Sequence, residues 1–309
     1  MINLDKSIKK FLDNCKYMKG LSDKTLKAYT IDLNQYESFC KNQNWQSKIQ
    51  IECYIQNLYL NYKPKTSKRK IACLKTFFNY LENDEIIQNN PFQKINIKRR
   101  EAIILPKVIP IGILEKILSL TYQNYNKEGK SDFYYKNSLR DIAVIELLFS
   151  TGLRVSELCN IKPNDINLKE KYIKVNGKGS KERYIQLTNN SVISVLKNYQ
   201  SIFSFEIENK NNFFINNRGN NLSEQSVRFM INKFAKQVKS DLHITPHMFR
   251  HTIATLLLEE NVDIRYIQEF LGHSSITTTQ IYTHISLNAQ KRILTEKHPR
   301  NKLKLNAEF

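Results

Sequence analysis

Six residues in the second half of the chain have the types and order needed to break and rejoin a phosphodiester. They are Arg154, Lys178, His247, Arg250, His273 and Tyr282. Arginine forks pair bidentately with phosphate oxygens and hold the charge that develops in a transition state. A tyrosine phenol can supply the nucleophile. The series therefore predicts a cationic phosphate cage around one tyrosine, with DNA as the substrate.

The string TGLRVSEL places Arg154 directly after Gly152, which predicts a helix junction. Glycine lets the backbone turn tightly, and helix N-termini favour phosphate. Glu157, three residues after Arg154, is predicted to hold the guanidinium in place. Taken alone, the string describes an ordinary helical ion pair equally well, so its meaning depends on the other five residues.

The string NGKGSKER places Lys178 at the glycine-rich tip of a predicted hairpin. A lysine there can reach a DNA strand and meet the leaving 5′-oxygen as a general acid. In isolation, a solvated turn lysine is the simpler interpretation. Lys181 and Arg183 are interpreted as phosphate contacts or as residues that stabilise the turn.

His247 and Arg250 stand three residues apart on a helix that Thr245-Pro246 begins, so both can face one phosphate. His251 is expected to point away from that face and to act from behind the site. His273 follows a helix-ending glycine, and Tyr282 lies in the polar string QIYTH. The alternatives are a structural histidine and a buried aromatic ring.

Together these strings resemble the tyrosine site-specific recombinases, also called the lambda integrase family, and in particular their Xer branch, which unlinks chromosome dimers. The resemblance runs from about residue 4 to about residue 300. It implies that Tyr282 forms a 3′-phosphotyrosyl link and leaves a free 5′-hydroxyl. The family string GKGxKER assigns the general acid to Lys178.

The composition agrees with a polyanionic partner. The 309 residues carry 48 Lys and Arg against 29 Asp and Glu, which gives a formal net charge of +19. Five cysteines without a CxxC pair argue against a disulfide framework and a zinc site. The sequence has no acidic cluster for magnesium, no Walker-type loop and no membrane-length apolar run. We expect a cytoplasmic enzyme that needs no metal or other cofactor.

The pattern along the chain predicts a mainly α fold with a small β-hairpin or sheet. Residues 1–90 should form a helical, SAM-like core-binding domain of four helices, residues 91–110 a basic linker, and residues 111–309 an α+β catalytic domain. Segment 122–138 is polar and is predicted to be a loop. Basic residues expected to contact DNA are Lys65, Lys68, Arg69, Lys70 and Lys75 on the exposed side of the fourth helix, and Lys98, Arg99 and Arg100 in the linker.

The resemblance implies a homotetramer, or a heterotetramer with a related recombinase, that holds two double-stranded DNA sites and exchanges strands through a Holliday junction. It also implies a final helix that docks on a neighbouring protomer, for which Ile285, Leu287, Ala289, Ile293 and Leu294 offer an apolar side that a monomer need not bury. The alternative is that this helix packs on its own domain. A septal DNA translocase as accessory partner stays open.

Two features favour the Xer branch over a phage-type integrase. The chain opens in the core-binding helices, with no arm-binding domain before them, and its EKHPR tail at 296–300 resembles a Xer terminus. An integrase or resolvase of a mobile element, a type IB topoisomerase-like enzyme and a non-catalytic DNA-binding protein are the alternatives.

Overall fold

A computed structural model of the chain describes residues 3–41, 43–97, 107–177, 182–260, 262–272 and 287–303. The chain divides into two compact units, residues 1–104 and 105–309. The predicted mainly helical fold with a small sheet is confirmed. Among the described residues, no helix combines the length and apolar character needed to cross a membrane.

The first unit contains the four predicted helices. They are α1 (Leu4–Tyr17), α2 (Asp23–Phe39), α3 (Lys48–Asn61) and α4 (Pro64–Asn83). Ser22 is the N-cap of α2, and its side chain accepts a hydrogen bond from the Thr25 N–H at 3.4 Å. Proline at the first position of α4 loses no helical hydrogen bond.

Aromatic rings fill the core of this first unit. Phe11, Phe77 and Phe78 are fully buried, and the rings of Phe11 and Phe77 meet edge to face with centroids 5.4 Å apart. The Tyr36 hydroxyl donates a hydrogen bond to the Trp45 carbonyl, which ties the connection after α2 to the core. The apolar side of α4, which includes Phe77 and Phe78, therefore faces inward.

The second unit contains nine helices and three strands among its described residues. They are α5 (Ile111–Tyr125), α6 (Asp132–Thr151), α7 (Val155–Cys159), β1 (Ile166–Asn167), β2 (Tyr172–Asn176), β3 (Glu182–Gln186), α8 (Asn190–Ile202), α9 (Ser204–Lys210), α10 (Glu224–Gln237), α11 (Pro246–Glu259), α12 (Ile264–Leu271) and α13 (Leu287–Lys297). β1 and α9 were not predicted from the sequence.

The sheet has the antiparallel order β1-β2-β3. The register pairs Ile173 with Ile185, and both side chains face the core. β2 and β3 form the predicted hairpin, whose turn residues 178–181 lie outside the described part of the chain. The first described residue after this segment is Glu182, where β3 begins.

Helix α6 lies at the centre of the second unit, with α5, α8 and α11 packed on it. Every residue from Leu139 to Thr151 except Arg140 is buried. The helix ends at Gly152, which adopts a left-handed conformation with φ of 60°. A Cβ on this glycine would lie 2.5 Å from Leu271 Cδ2, so both the turn and the close packing require glycine.

The predicted loop at 122–138 is wrong. α5 continues to Tyr125 and α6 already begins at Asp132, so only residues 126–131 connect them. Ser131 caps α6, and the Tyr125 and Tyr135 rings pack with centroids 4.6 Å apart. The polar composition was misleading because most residues at these helix ends are exposed or only partly buried, and polar side chains suit such positions.

The final helix α13 packs on its own unit. Leu294 is 2 % exposed and Ile293 packs against the same core, so the expected unburied apolar side is wrong for these two residues. Ile285 lies outside the described residues, and the side chains at 287 and 289 are not described. The tail after the helix is also buried, through His298 and Arg300.

Candidate active site

Glu157 is the centre of the candidate site. Its side chain is 6 % exposed, and it accepts hydrogen bonds from two arginines. Arg154 Nη1 lies 2.7 Å from Oε1, and the Arg154 backbone N–H donates to Oε2 at 2.9 Å. The predicted contact between Arg154 and Glu157 is confirmed. Arg154 is the N-cap residue of α7, so this contact lies at the start of the helix.

Arg183, on β3, is the second arginine at this carboxylate. Its Nη1 and Nη2 donate to Oε1 and Oε2 of Glu157 at 3.1 and 2.8 Å. The Arg183 side chain is only 14 % exposed. The sequence suggested a phosphate contact or a turn stabiliser, but the guanidinium faces inward to Glu157 instead of outward to a ligand.

Arg250, on α11, completes a group of three guanidiniums. It is 4 % exposed and donates from Nη1 to the Gly152 carbonyl at 2.8 Å and from Nη2 to the Leu271 carbonyl. Burial and the positive charges of Arg154 and Arg183 lower the pKa of Arg250 to about 10. An anion placed near Arg250 would relieve this repulsion.

The pKa of Glu157 shows which influence dominates at the carboxylate. Burial alone raises this pKa, but the hydrogen bonds and charges of Arg183 and Arg154 outweigh it, so the pKa is lowered. Glu157 therefore stays ionised and holds the arginines in place. Among these four side chains, three carry a positive charge and one a negative charge, so the group as a whole is cationic.

His247 lies in the first turn of α11 and is exposed. It lines a cavity of about 500 Å³ in the second unit, together with His243, His251 and Lys107. His251 was expected to point away from His247, yet it lines the same cavity. The positions four residues apart explain this, because such side chains lie on one helix face.

Several predicted site residues lie outside the described part of the chain. They are Lys178, Lys181, His273, Tyr282, Lys98, Arg99 and Arg100. The structure nevertheless describes Gly272, whose φ of 66° ends α12 directly before His273. Their predicted roles stay predictions.

The basic face predicted on α4 is confirmed as exposed for four residues and wrong for one. Lys65, Lys68, Arg69 and Lys75 are exposed. Lys70 is 3 % exposed, and its Nζ lies 2.8 Å from Oδ1 of the equally buried Asp32. Asp32 also binds Arg69. Lys70 is therefore part of the first unit's interior, because burial of Asp32 requires a cation beside it.

Sequence reasoning missed two features of the site. The first is that Arg183 shares Glu157 with Arg154, although the string KER did contain this arginine. The second is that the carbonyls at the end of α12 bind three guanidiniums, for which the sequence carries no signal beyond the glycine that ends the helix. Within the described residues, no group of three or more His, Cys, Asp or Glu side chains could hold a metal ion.

Comparison with known proteins places the chain in a family. Residues 120–288 match the model of the phage integrase family, and residues 8–85 match that of the phage integrase N-terminal SAM-like domain. A protein named tyrosine recombinase from Agathobacter rectalis is 52 % identical over 97 % of this chain and 98 % of its own. Tyrosine recombinase XerC from Thermodesulfovibrio yellowstonii is 37 % identical over 98 % of this chain and 99 % of its own.

A solved structure supports the same fold. The lambda integrase tetramer bound to a Holliday junction superposes with a TM-score of 0.68, at 19 % identity, over 90 % of this chain and 76 % of that chain. The order of the motifs, the helical N-terminal unit and the two family matches agree with one another. The chain belongs to the phage integrase family and is a tyrosine recombinase, an enzyme that breaks and rejoins DNA strands.

Proposed function

We propose that this enzyme cuts one specific DNA site by attack of Tyr282 on a phosphodiester. The scissile phosphate would lie in a cage of cations. Those cations are Arg154, Arg250, His247 and His273. Lys178, from the turn between β2 and β3, would complete the reaction as general acid.

The observation that carries this proposal is the excess of positive charge at one buried carboxylate. Glu157 orders Arg154 and Arg183, while Arg250 lies among their charges with a lowered pKa. Donors held in place before the substrate arrives stabilise developing charge without reorganisation during the reaction. A dianionic transition state at phosphorus is the kind of species that such a group binds.

The chemical step follows from the leaving group. The Tyr282 hydroxyl gives its proton to solvent water as its oxygen bonds to phosphorus, and the bond from phosphorus to the 5′-oxygen breaks. Lys178 donates a proton to that oxygen, which yields a 5′-hydroxyl and a 3′-phosphotyrosyl link. The link keeps the energy of the broken bond, so attack by a 5′-hydroxyl can reseal the strand in the reverse sequence.

Recombination between two sites requires four such cuts, and we assign them to four protomers. Lambda integrase, whose fold this chain shares, is a tetramer on a Holliday junction in its solved structure. Docking of α13 on a neighbour would require the packing of Leu294 and the tail to open and form again in the other protomer. A cyclic arrangement closes with such head-to-tail contacts.

Resolution of chromosome dimers is the cellular role that we propose. Relatives that match over nearly the whole chain carry the name tyrosine recombinase XerC, at 37 % and 33 % identity for two of them. The same chemistry would serve an integrase or resolvase of a mobile element, and the position of the cleaved site in the genome separates the two roles.

Covalent capture tests this function and finds the site in one experiment. The purified protein is incubated with sheared genomic DNA of its source, denatured, and the DNA that stays covalently attached is sequenced. We expect one enriched sequence for the parent and none for Tyr282→Phe, which lacks only the hydroxyl. Tyr266→Phe, on α12, serves as the matched control and should capture the same sequence as the parent.

Each outcome has a clear meaning. Adduct formed by Tyr282→Phe would refute the assignment of Tyr282 as the nucleophile. Enrichment at the ends of a mobile element, instead of at one chromosomal site, would replace the chromosomal role. Adducts spread over the genome without sequence preference would indicate relaxation of DNA rather than site-specific recombination.

A further inference from the structure

Arg183 connects three parts of the second unit that are distant in sequence. It lies on β3, just after the turn that holds Lys178, and it reaches Glu157 on α7 and the Phe270 carbonyl on α12. We propose that Arg183 is a positioning residue that ties this hairpin to Arg154 and to the end of α12. The inference rests on the proposed function, because it concerns the placement of that reaction's cations.

The carboxylate of Glu157 is saturated by its two arginines. Oε1 accepts from Arg154 Nη1 and Arg183 Nη1, while Oε2 accepts from the Arg154 backbone N–H and Arg183 Nη2. An ionised carboxylate has about four acceptor sites, so the four donors occupy all of them. Removal of Arg183 would leave this carboxylate with half of its partners, both of them from Arg154, so Glu157 would hold Arg154 in a less fixed orientation.

The end of α12 contacts the same three arginines. The carbonyls of three successive residues, 270, 271 and 272, accept from Arg183 Nε at 3.3 Å, from Arg250 Nη2, and from Arg154 Nη2 at 2.7 Å. The last carbonyls of a helix lack intrahelical partners, so guanidiniums satisfy them well. The next residue in the chain is His273, and the three contacts therefore set where the segment toward Tyr282 begins.

Gly272 leaves the space that the Arg183 guanidinium occupies. A Cβ at this position would lie 2.8 Å from Arg183 Nη1. A side chain there would push the guanidinium away from Glu157. Glycine thus serves both the left-handed turn that ends α12 and the close approach of Arg183.

A direct phosphate contact is the competing role for Arg183. Its low exposure and the use of both Nη atoms on Glu157 argue against that role. The two roles differ in a way that can be measured. A residue that acts through Glu157 loses its effect once Glu157 is neutral, whereas a residue that binds phosphate keeps it.

A double-mutant cycle makes this measurement. Parent, Arg183→Gln, Glu157→Gln and the double variant cleave a nicked duplex that carries the covalently captured sequence, at saturating protein. We expect Arg183→Gln to slow cleavage about 10- to 100-fold in the parent, and only about threefold or less in the Glu157→Gln background. DNA affinity should change little, because the exposed basic faces are intact.

Two further variants separate positioning from folding. Arg228→Gln removes an exposed arginine paired with Glu224 on α10 and should leave cleavage unchanged. Arg183→Lys should melt at the same temperature as the parent. It should not cleave at the parent's rate, since an ammonium cannot span both carboxylate oxygens. If cleavage recovers together with melting, Arg183 is merely structural and the inference is wrong.

The remaining outcomes are equally decisive. An equal loss from Arg183→Gln in both backgrounds would assign Arg183 to the phosphate and overturn the inference, while the proposed function stands. Unchanged cleavage in Arg183→Gln would also overturn it. A parent protein that captures no DNA covalently would refute the proposed function, and the positioning role with it.

Discussion

Two buried glutamates of the second unit bind arginine through both carboxylate oxygens, yet their surroundings differ in charge balance. Glu146, on α6, binds Arg300 at 2.7 and 2.6 Å and accepts a hydrogen bond from the Tyr122 hydroxyl. Glu157 binds Arg154 and Arg183, with Arg250 close enough to feel its charge. One cluster is neutral and closed, whereas the other is cationic and partly open.

The two most buried arginines of these clusters show the consequence. Burial lowers the pKa of Arg250, and the neighbouring cations lower it further, to about 10. Burial alone would also lower the pKa of Arg300, but the hydrogen bonds and charge of Glu146 outweigh it and raise that pKa. The charge of Glu157 acts on Arg250 in the opposite direction but does not outweigh burial and the neighbouring cations. The number of cations for each carboxylate thus differs between the two clusters, and the pKa of the buried arginine shifts in opposite directions.

The largest expected effect belongs to the neutral cluster. Arg300→Met would leave the Glu146 charge buried without a partner, which typically costs about 3–5 kcal/mol. We expect the free energy of unfolding, from urea denaturation, to fall by that amount. Lys302→Met, at a neighbouring exposed residue, is the matched control and should leave stability nearly unchanged.

The double variant Glu146→Leu with Arg300→Met sharpens this prediction. Replacement of a buried pair by apolar residues of similar size is often neutral or stabilising. Most of the lost stability should therefore return. If the double variant is as unstable as the single one, the pair is not the cause, and the comparison of the two clusters loses its neutral side.

The cationic cluster should respond in rate instead of stability. Arg250→Lys and Arg154→Lys should each slow cleavage of the captured DNA site roughly 10²–10³-fold, or about 2.7–4 kcal/mol, because a point charge cannot reproduce the fork. The measurement is single-turnover adduct formation at saturating protein. Parental cleavage by either lysine variant would contradict the assignment of these residues to the phosphate.

Acidification should act on the tail beside the neutral cluster. His298 is buried, its Nε2–H donates to the Ser150 carbonyl at 2.6 Å, and its Nδ1 accepts from the Arg300 N–H at 3.0 Å. Burial lowers its pKa to about 4 from an ordinary value of 6.5, and the charge of Arg300 acts in the same direction. The unfolded chain therefore binds the proton more readily than the folded one, and this part of the stability falls as the pH drops from 6.5 to 4.

The size of this effect is at most about 3 kcal/mol, from about 1.4 kcal/mol for each pKa unit. The unfolding free energy of the parent should drop more steeply over that range than the free energy of His298→Gln, which has no titrating imidazole. Parallel curves for the two proteins would show that His298 is not held neutral in the fold.

Local pattern predicted most of the helices and the contact of Arg154 with Glu157. Caps and apolar spacing indicated the four helices of the first unit, and the contact of Arg154 with Glu157 spans only three residues. The contact of Arg183 with Glu157 spans 26 residues, and that of Arg154 with Gly272 spans 118. No short window contains both partners, so sequence reasoning could name the residues but not their coupling.

The prediction that Lys70 is exposed was wrong for the same reason, because its partner is distant in the sequence. Lys70 lies on the apolar side of α4, four residues before Leu74 and seven before Phe77, but the helix sequence does not show which anion a lysine buried there would pair with. Its burial depends on Asp32, which precedes it by 38 residues and lies on α2. The segment 122–138 failed differently, since polar and aromatic residues on exposed helix ends have the composition of a loop. Tertiary contacts decided both cases.

The Asp32 cluster of the first unit is intermediate between the other two and provides the smallest predicted effect. Asp32 binds buried Lys70 and also Arg69, whose side chain is 45 % exposed, so two cations again share one carboxylate. By the same charge balance, Arg69 has charge to offer a DNA phosphate. Arg69→Gln should therefore reduce the slope of log affinity against log salt by about 0.9, the loss of one phosphate contact. Lys9→Gln, at an exposed lysine paired with Asp5, is the control and should keep the parental slope. Equal slopes for Arg69→Gln and the parent would confine the charge-balance rule to the second unit.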